Sequence, residues 1–487
     1  MEESVTARLR VVLFGMNGSF SHTNLALRAL RAPLERAGHE VKLLECTLKD
    51  RTAHVLERLV GERADVYGFS CYIWNLQEML LLSRALHDVL PDAKIVFGGP
   101  EVSFATERFE GMDWIDSIVC GEGEDAMTAL CGAIAKGEHL DRIIQGKPSE
   151  RLMRDEGILY RDGDESGGIL YYESSRGCPY SCAYCLSSAT HGVRMKTVEE
   201  TLCDLEAFET LEVKSKIIKF VDRTFNADVR RANAIWEALL SDRFTKTYHF
   251  EVCATLFNEE SFDVLSRFPK GKIQLEMGLQ STNPKTLAAS SRHIDPERVL
   301  TNVKRIREMG NIHVHLDLIA GLPYEGYDRF AESFDAAYGC ADLLQLGFLK
   351  LLYGTELRER MEEYGYKCLS APPYTVLRSN WITYEELQRL SHIAETMDRY
   401  LESGSFVHTL WYLTPLMPSP FRFWEGFCTF LAKRDPRPLQ RVSQPDAFRY
   451  LLEYAKSFDG VEEETLKNMM AADFSQKEHK NPPVFLK

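Results

Sequence analysis

Three cysteines lie close together in the segment from Ser174 to Cys185, which reads SSRGCPYSCAYC. They are Cys178, Cys182 and Cys185, in a C-x3-C-x2-C spacing. The thiolate form of cysteine is a metal ligand, and clustered cysteines in a reducing compartment more often bind a metal or act in catalysis than form disulfides. The spacing therefore predicts a metal site built on these three residues.

The number of cysteines indicates which kind of metal site this is. A closed structural zinc site takes four ligands, and no second pair of cysteines or histidines stands nearby. His191 could supply a fourth ligand, but we interpret it as a loop residue. Three thiolates can hold a four-iron, four-sulfur cluster and leave one iron open, unlike the four-cysteine arrangement of electron carriers. We therefore favour a 4Fe-4S cluster with one vacant iron position.

The composition limits the class of protein. The chain has 487 residues, 45% of them hydrophobic, which is enough for two or three domains with separate cores. The opening MEESVTARLR leads straight into a short buried strand, so we expect neither a signal peptide nor a membrane span, and a cytoplasmic protein. The net charge of -14 argues against nucleic acid as the main partner.

Residues 1–145 alternate short apolar strands with amphipathic helices. This pattern predicts an α/β domain with a parallel sheet covered on both faces, a doubly wound Rossmann-like fold. Such sheets bind ligands at the carboxyl ends of their strands, and four of those ends, at 15–21, 70–75, 98–103 and 121–124, are rich in small and polar residues. A glycine can end a strand for backbone reasons alone, but four such ends together favour a bound ligand.

A second series of strands and helices follows. Residues 146–168 are polar with little periodicity, and we interpret them as a connector. Residues 169–371 then contain six strand and helix units, from ILYYESS to LLQLGFLKLL. Right-handed crossovers curl a parallel sheet, so six units predict a partial (β/α)6 barrel of the TIM type. The cysteine cluster follows its first strand, at the end where barrel active sites form.

Polar residues recur at every second position in three neighbouring strands of this barrel. They are His249, Glu251 and Cys253; Gln274, Glu276 and Gln280; and His313, His315 and Asp317. Alternate residues share one face of a strand. Three polar inner faces do not make a packed apolar core, and buried acids and imidazoles need partners. The pattern is typical of a satisfied internal network or of a ligand cavity, and we favour the cavity.

The cysteine motif, with Tyr184 before its last cysteine and a barrel strand ahead of it, resembles the hallmark of the radical S-adenosylmethionine (SAM) enzymes. The resemblance implies that the vacant iron binds the amino and carboxylate groups of SAM, and that reductive cleavage gives a 5′-deoxyadenosyl radical. It also implies an electron donor such as flavodoxin or ferredoxin.

The same resemblance implies a set of SAM contacts. They are the Tyr184 backbone at the adenine, Asp222 at the methionine amino group, Glu251 and Gln280 in the second half of the barrel, Arg292 at the carboxylate and Asp317 at the ribose. The alternative for Asp222 and Glu251 is an ion pair with a nearby Arg or Lys, which their inward position at strand ends disfavours.

The first domain resembles the cobalamin-binding domain that precedes the barrel in one large subclass of these enzymes. The loops GFSCYIWN, VFGGPEVSF and CGEGE carry the resemblance. The implied cobalamin contacts are Ser70, Tyr72, Trp74, Gly98, Gly99, Pro100, Glu101, Glu122 and Gly123. Trp74 would cover the lower corrin face, although an aromatic residue in such a loop is more often involved in packing.

One feature departs from other cobalamin proteins, because the D-x-H-x-x-G motif that supplies an axial histidine is absent. His22, in GMNGSFSHTNLAL, has the wrong spacing for it. Two outcomes stay open. Either cobalamin binds without a protein imidazole on cobalt, as the subclass commonly allows, or the domain has lost the cofactor.

Residues 372–487 are predicted to form a helical domain, which resembles the tail of one poorly characterised branch of these enzymes. TYEELQRLSHIAETMDRYL reads as an amphipathic helix with Thr383 as its N-cap and a glutamate three residues later. The aromatic residues of HTLWYLTPLMPSPFRFWEGF are interpreted as core, with a substrate-facing role for Trp411 or Trp424 as the alternative. The end, KNPPVFLK, is expected to be extended.

Three functions fit these features. In the favoured one, the adenosyl radical removes hydrogen from an unactivated carbon of an unidentified substrate and methylcobalamin delivers a methyl group. The second keeps the radical for an oxidation, cyclisation or rearrangement without methyl transfer. The third is a non-catalytic iron–sulfur or corrinoid-binding protein. Methylthio transfer is disfavoured, because Cys46, Cys71, Cys120 and Cys131 lack the positions expected for a second cluster.

Overall fold

The chain was analysed as a computed structural model. It describes residues 7–148, 157–164, 168–189, 192–435, 439–479 and 481–486. His191, considered above as a fourth metal ligand, lies outside these residues. Within them, no helix combines the length and the apolar character needed to cross a bilayer.

The first sheet contains six parallel strands in the order β2-β1-β3-β4-β5-β6. The strands are β1 (Arg10–Asn17), β2 (Glu40–Thr47), β3 (Val66–Ser70), β4 (Lys94–Gly98), β5 (Ser117–Gly121) and β6 (Ile143–Gly146). The helices between them are Leu25–Arg36, Thr52–Glu62, Leu76–Val89 and Glu124–Lys136. The predicted doubly wound domain is confirmed, and β6 extends it at the start of the segment interpreted as a connector.

Alternate side chains of β1 show why this sheet is covered on both faces. Val12 and Phe14 belong to one apolar core, whereas Val11 and Leu13 belong to another. All four are fully buried. A strand that is apolar on both faces must be packed on both, which is why its sequence reads as a continuous hydrophobic run.

The second sheet also contains six parallel strands, in the order β14-β13-β12-β11-β10-β7. They are β7 (Ile169–Tyr172), β10 (Ile217–Phe220), β11 (Thr247–Val252), β12 (Ile273–Gln280), β13 (His313–Ala320) and β14 (Leu343–Phe348). The helices along this sheet are Val198–Thr210, Val229–Leu239, Glu259–Ser266, Pro284–Ala289, Pro296–Glu308 and Tyr327–Ala337. This confirms the predicted partial barrel, which stays open between β7 and β14.

A small antiparallel hairpin carries the cysteine segment between β7 and the next helix. It consists of β8 (Ser175–Gly177) and β9 (Val193–Met195). Gly177 has φ +100°, and a Cβ there would lie 2.1 Å from the carbonyl oxygen of Gly192. Only glycine fits this close approach, so the residue before Cys178 fixes how the cysteine segment leaves the barrel. Strands of three residues give too little alternation to be predicted.

The C-terminal part is helical, as predicted. Its helices are Tyr384–Met397, Val407–Leu413, Pro420–Arg434, Gln444–Ala455 and Glu463–Glu478, and they follow a short helix, Glu356–Glu359, and the hairpin of β15 (Lys367–Cys368) and β16 (Val376–Arg378). The expected capping box is present, because the Thr383 side chain accepts from the Glu386 N–H and the Glu386 carboxylate accepts from the Thr383 N–H. The buried side chains of this region are continuous with the barrel core.

The aromatic segment of this region divides into buried and exposed members. Phe421, Phe423 and Trp424 are fully buried, which confirms the core interpretation for them. Trp411 is 78% exposed, so that interpretation is wrong for this residue. The chain end was expected to be extended, but Val484–Leu486 form a 3-10 turn because Leu486 inserts into the core.

We predict that Asp473→Ala destabilises the helical region. Buried Asp473 accepts hydrogen bonds from the backbone N–H groups of His408 and Thr409, at 3.2 and 2.9 Å, and from the Thr409 hydroxyl at 2.7 Å. Removing the carboxylate leaves buried donors unpaired, so the free energy of unfolding should fall by about 2–4 kcal/mol in denaturant titrations.

The matched control is Asp459→Ala, because Asp459 is an exposed turn residue of the same region. Its free energy of unfolding should stay within about 0.5 kcal/mol of wild type. An equal effect of both substitutions would show that the hydrogen bonds accepted by Asp473 from His408 and Thr409 do not stabilise this region.

Candidate functional site

The cysteine segment is fixed to the barrel through its backbone. The Ala183 N–H donates to the carbonyl of Ser290 at 2.9 Å, and the Ala183 carbonyl accepts from the Leu357 N–H at 2.9 Å. The Cys185 N–H donates to the Cys182 carbonyl at 3.0 Å. The thiols of Cys178, Cys182 and Cys185 are all free. The loop is therefore rigidly placed while its sulfur atoms stay available.

The spacing of the three sulfur atoms suits a cluster better than a single ion. Three thiolates on one zinc would lie about 3.8 Å apart, given a metal–sulfur distance of about 2.3 Å. Among the described residues, the only three candidate ligands whose donor atoms all lie within 4.8 Å of one another are not these cysteines. Burial raises the pKa of Cys178, and the neighbouring Cys185 and Cys182 raise it further. Three negatively charged thiolates at this spacing therefore need a cationic group larger than one metal ion to stabilise them.

A cavity opens beside this loop. Four of the six predicted SAM contacts line it, namely Glu251, Gln280, Arg292 and Asp317. It is completed by Tyr180, Arg223, Thr224, Val252, Cys253, Glu276 and Gly278. The alternation along β12 and β13 explains this grouping, because buried apolar residues there alternate with half-buried ones that face the barrel interior.

Several polar atoms of the cavity have no hydrogen-bond partner among the described residues. They are Oε1 of Gln280, Nε of Arg292 and Oδ1 of Asp317, all buried. A buried polar atom without a partner costs about 1–3 kcal/mol, so such a set is stable when a ligand supplies the missing bonds. The cavity therefore fits a polar molecule that carries both acceptors and donors.

The backbone around Gln280 is shaped for this arrangement. Its φ is +71°, and the pairing of β12 with β13 shifts register between Gly278 and Gln280. A Cβ on Gly278 would lie 2.2 Å from the Gln280 side chain and 3.2 Å from that of Arg292. Non-glycine residues with positive φ and β-bulges both concentrate at functional sites. The bulge turns Gln280 and Arg292 into the same cavity.

Arg292 connects the cavity to the cysteine loop. One of its terminal nitrogens, Nη1, lies 3.6 Å from the sulfur of Cys182, and the other, Nη2, donates to the Gly278 carbonyl. Its Nε has no partner in the described structure. A guanidinium held at one end and open at the other is suited to pairing a carboxylate ligand. Its position agrees with the predicted carboxylate contact.

Ionisable groups in and next to the cavity shift the pKa values of one another. Burial, with Glu276 and Glu251 nearby, raises the pKa of Asp317 to about 7. A hydrogen bond from His249 lowers the pKa of Glu276 to about 2, and Lys219 contributes as well. Burial lowers the pKa of His315 to about 4. Perturbed titration inside one concave site is typical of a functional centre.

The structure places Asp222 outside this cavity. Asp222 is fully buried, and its carboxylate accepts from the Ser174 N–H at 2.9 Å and from the hydroxyls of Ser174 and Ser175 at 2.6 Å each. Asp222 thus anchors the start of the cysteine segment. The two residues after it, Arg223 and Thr224, line the cavity instead. The strand ends at Phe220, so strand alternation could not have indicated them.

Two of the six predicted SAM contacts, Glu251 and Tyr184, also contact other parts of the barrel. Glu251 lines the cavity and also lies 3.9 Å from the guanidinium of Arg223, so the ion-pair alternative is partly realised. Tyr184 is half-buried against the barrel core on the cysteine loop. Tyr180, which the sequence did not single out, lines the cavity, and its hydroxyl donates to the sulfur of Cys253 at 3.4 Å.

The predicted cobalamin contacts lie at the carboxyl edge of the first sheet. Tyr72 and Trp74 stack with ring centroids 4.4 Å apart, and Trp74 is 48% exposed. Ser70 accepts from the Asn24 side chain at 3.3 Å. A Cβ on Gly98 would meet only the Val119 carbonyl, at 3.8 Å. Bare glycine backbone beside an exposed Trp74 stacked on a half-buried Tyr72 fits a large, flat ligand.

Other members of that predicted set serve different contacts. Glu101 is buried, pairs with Arg108 at 3.0 Å and accepts from the Tyr374 hydroxyl. Glu122 pairs with Arg176 at 3.0 Å and with Arg194. Both carboxylates therefore join the first domain to later parts of the chain.

The glycines and the proline of the set differ in exposure and constraint. Gly99 has φ +108° and packs on Cys71, Pro100 is exposed, and Gly123 precedes the helix Glu124–Lys136.

His22 contacts Tyr171, whose hydroxyl lies 2.5 Å from its Nδ1.

Comparisons with known proteins agree with this architecture. Residues 14–131 match the B12 binding domain, residues 172–337 match the radical SAM superfamily, and residues 362–487 match a family described as a protein of unknown function (DUF4080). The chain therefore contains a B12 binding domain followed by a radical SAM domain, in the predicted order, which confirms the predicted resemblance to cobalamin-binding radical SAM enzymes.

Curated relatives include the uncharacterized methyltransferase PH0819 of Pyrococcus horikoshii, 24% identical over 85% of this chain and 93% of that protein. Another is the cobalamin-dependent radical SAM methyltransferase TokK of Streptomyces tokunonensis, 27% identical over 72% of this chain and 56% of that protein. The hopanoid C-3 methylase of Methylococcus capsulatus is 24% identical over 61% of this chain and 60% of that protein. The chain thus spans little more than half of the last two.

Two solved structures share the fold. The cobalamin-dependent radical enzyme OxsB has a TM-score of 0.63 at 15% identity, covering 97% of this chain and 79% of that one. The methyltransferase TsrM from Kitasatospora setae has a TM-score of 0.61 at 18% identity, covering 75% and 79%. At these identities the likeness concerns the fold.

We predict that Gly177→Ala lowers the iron content of the reconstituted protein. A Cβ at Gly177 collides with the Gly192 carbonyl and disfavours its positive φ, which displaces the segment that starts at Cys178. Iron bound per chain after anaerobic reconstitution should fall to less than about half of the wild-type value.

The matched control is Gly168→Ala, where an added Cβ meets nothing within 4 Å and φ is not positive. This variant should keep the wild-type iron content. Full iron content in the Gly177→Ala protein would show that the hairpin does not fix the cysteines.

Proposed function

We propose that this protein is a cobalamin-dependent radical SAM methyltransferase that acts on an unactivated carbon. The observation that carries the proposal is the position of Arg292, which lines the polar cavity and lies 3.6 Å from the sulfur of Cys182. This contact joins the cysteine loop to a cavity with unpaired polar atoms. The methyltransferase relatives and the B12 binding domain support the choice of methyl transfer.

The three cysteines would hold the 4Fe-4S cluster, and the cavity would hold SAM. When bound, the cluster supplies the electron that splits SAM into methionine and a 5′-deoxyadenosyl radical, and cobalamin supplies the methyl group. Arg292 pairs the methionine carboxylate through its free Nε edge. Gln280 and Asp317 provide the acceptors that lack partners.

The barrel also protects the reacting groups. Glu251, Arg223 and Tyr180 are among the side chains that line the cavity. A half-enclosed polar site lowers the local dielectric and limits the access of water to reactive groups. The residues of this chain therefore orient SAM and shield it.

Cobalamin would lie across the strand ends of the first sheet, with the bare backbone at Gly98 and the stacked Tyr72 and Trp74 beside it. The sequence lacks the D-x-H-x-x-G motif, which supports cobalt without a protein imidazole. We further propose that the enzyme works in the cytoplasm with a reducing partner such as flavodoxin or ferredoxin. The 12 free cysteines are consistent with that reducing setting.

A second candidate keeps the radical chemistry without methyl transfer. It is favoured by Glu101 and Glu122, two predicted cobalamin contacts that the structure pairs with arginines instead. Methylthio transfer has less support, because Cys46, Cys71 and Cys120 lie in one apolar core and Cys131 in the other. All four are buried as separate thiols.

We predict that Arg292→Ala weakens SAM binding to the cluster-loaded protein by at least about tenfold, because a carboxylate would lose its partner in a desolvated site. Isothermal titration under anaerobic conditions measures the dissociation constant. Arg298→Ala is the control, since Arg298 is exposed on the helix Pro296–Glu308. Unchanged affinity at wild-type iron content would contradict the assigned carboxylate contact.

We predict that the wild-type protein retains about one hydroxocobalamin per chain after cluster reconstitution and desalting, measured from corrin absorbance. Gly98→Val should lose it, because the new side chain fills the open strand end. The control Gly61→Val lies on the exposed side of a helix and should keep it. A wild-type protein with full iron and no cobalamin would favour the radical reaction without methyl transfer.

A further inference from the structure

Two histidines and a glutamate meet on the inner face of the barrel. They are His249 on β11, Glu276 on β12 and His315 on β13, and their ligand atoms all lie within 4.8 Å of one another. Nε2 of His249 is 3.1 Å from Oε2 of Glu276. These strands are adjacent, and Glu276 pairs with His315 in the parallel register, so the backbone itself brings the group together.

One imidazole nitrogen of this group has no partner. Nε2 of His315 is buried and makes no hydrogen bond within the described structure, whereas Nε2 of His249 is held by the Glu276 carboxylate. His249 itself is 8% exposed, and the two rings lie edge to face with centroids 5.5 Å apart. A buried imidazole nitrogen left without a donor or acceptor is costly, and a metal ion satisfies it directly.

From this geometry we infer a second metal site, at which His249, Glu276 and His315 bind one divalent transition-metal ion such as Zn²⁺ or Fe²⁺. Two histidines and one carboxylate are an established ligand set for both ions, with open positions left for another ligand. Two ligands about 2.1 Å from one zinc lie at most about 4.2 Å apart, so small side-chain movements complete the site.

The ion would lie at the edge of the cavity. Of its three ligands, Glu276 lines the cavity, and the buried members of β12 and β13 turn away from it. The ion would also brace three neighbouring strands from the inside.

Lys219 is the competing cation, since its Nζ lies 3.0 Å from Oε2 of Glu276. A carboxylate has about four lone-pair positions, so Glu276 can accept from Lys219 and still bind an ion. The Lys219 side chain is 25% exposed, and its flexible stem lets the ammonium move outwards. Removing this charge should therefore tighten metal binding.

The test uses the full chain with its cluster reconstituted, so that the cluster cysteines are occupied, and Zn²⁺ as the probe. Zinc per chain is measured by elemental analysis after gel filtration, without SAM or cobalamin. We expect about one zinc in the wild type and at least about tenfold weaker retention in His249→Gln and His315→Gln, since each removes one of three ligands. Lys219→Met should bind at least as tightly as the wild type.

The matched control is His313→Gln, because His313 is on the same strand but 46% exposed at its side chain and lies 3.6 Å from Asp342. It should keep its zinc. Iron content and circular dichroism identify any variant that fails to fold. If a histidine variant fails to fold, Lys219→Met still tests the site, because it changes zinc binding without removing a proposed ligand. A wild type without zinc, or equal zinc in all variants, would overturn the site. Neither result depends on SAM or cobalamin binding, so failure of the proposed metal site can be distinguished from failure of the proposed methyltransferase function.

Discussion

The inner face of three parallel strands is polar, and the arrangement of the site depends on this constraint. Strands β11, β12 and β13 turn their apolar side chains outwards to the helices, where the core is fully buried. Their other side chains cannot pack as an apolar core, so they surround a cavity. Buried polar groups in such a cavity are stable only when they are paired, by each other or by a ligand.

The cysteine loop is held at this cavity by contacts from both ends of the barrel sequence. Asp222 fixes its start through Ser174 and Ser175, and Arg292 reaches Cys182 from the loop after β12. The Ala183 N–H donates a hydrogen bond to the Ser290 carbonyl, and the Ala183 carbonyl accepts one from the Leu357 N–H. A loop that is supported in this way keeps its thiols in place at little entropic cost when a cofactor binds.

The first domain meets the barrel through charged residues at its strand ends. Glu122 pairs with Arg176 close to the cysteine segment, and Glu101 pairs with Arg108 and Tyr374. These contacts bring the carboxyl edge of the first sheet to the later domains. They explain why a ligand on that edge would lie close to the barrel.

Local patterns in the sequence determined the two parallel sheets, the helical C-terminal part, the three-cysteine motif and the polar barrel interior. Alternation with period two and helical periodicity are short-range properties, so they can be read without the fold. The capping box at Thr383 and Glu386 is local in the same way. Four of the six SAM contacts implied by the motif resemblance line the cavity, since strand alternation or the loop after β12 fixes their direction.

Only the tertiary structure decided which polar residues meet. Asp222 is hydrogen-bonded to Ser174 outside the cavity, whereas Arg223 and Thr224 line it. Glu101 accepts a hydrogen bond from the distant Tyr374, and Glu122 pairs with the distant Arg176. The group of His249, Glu276 and His315 forms because three strands are neighbours in register. Such contacts depend on the packing of distant segments and on the competition between charged partners, which local sequence patterns do not encode.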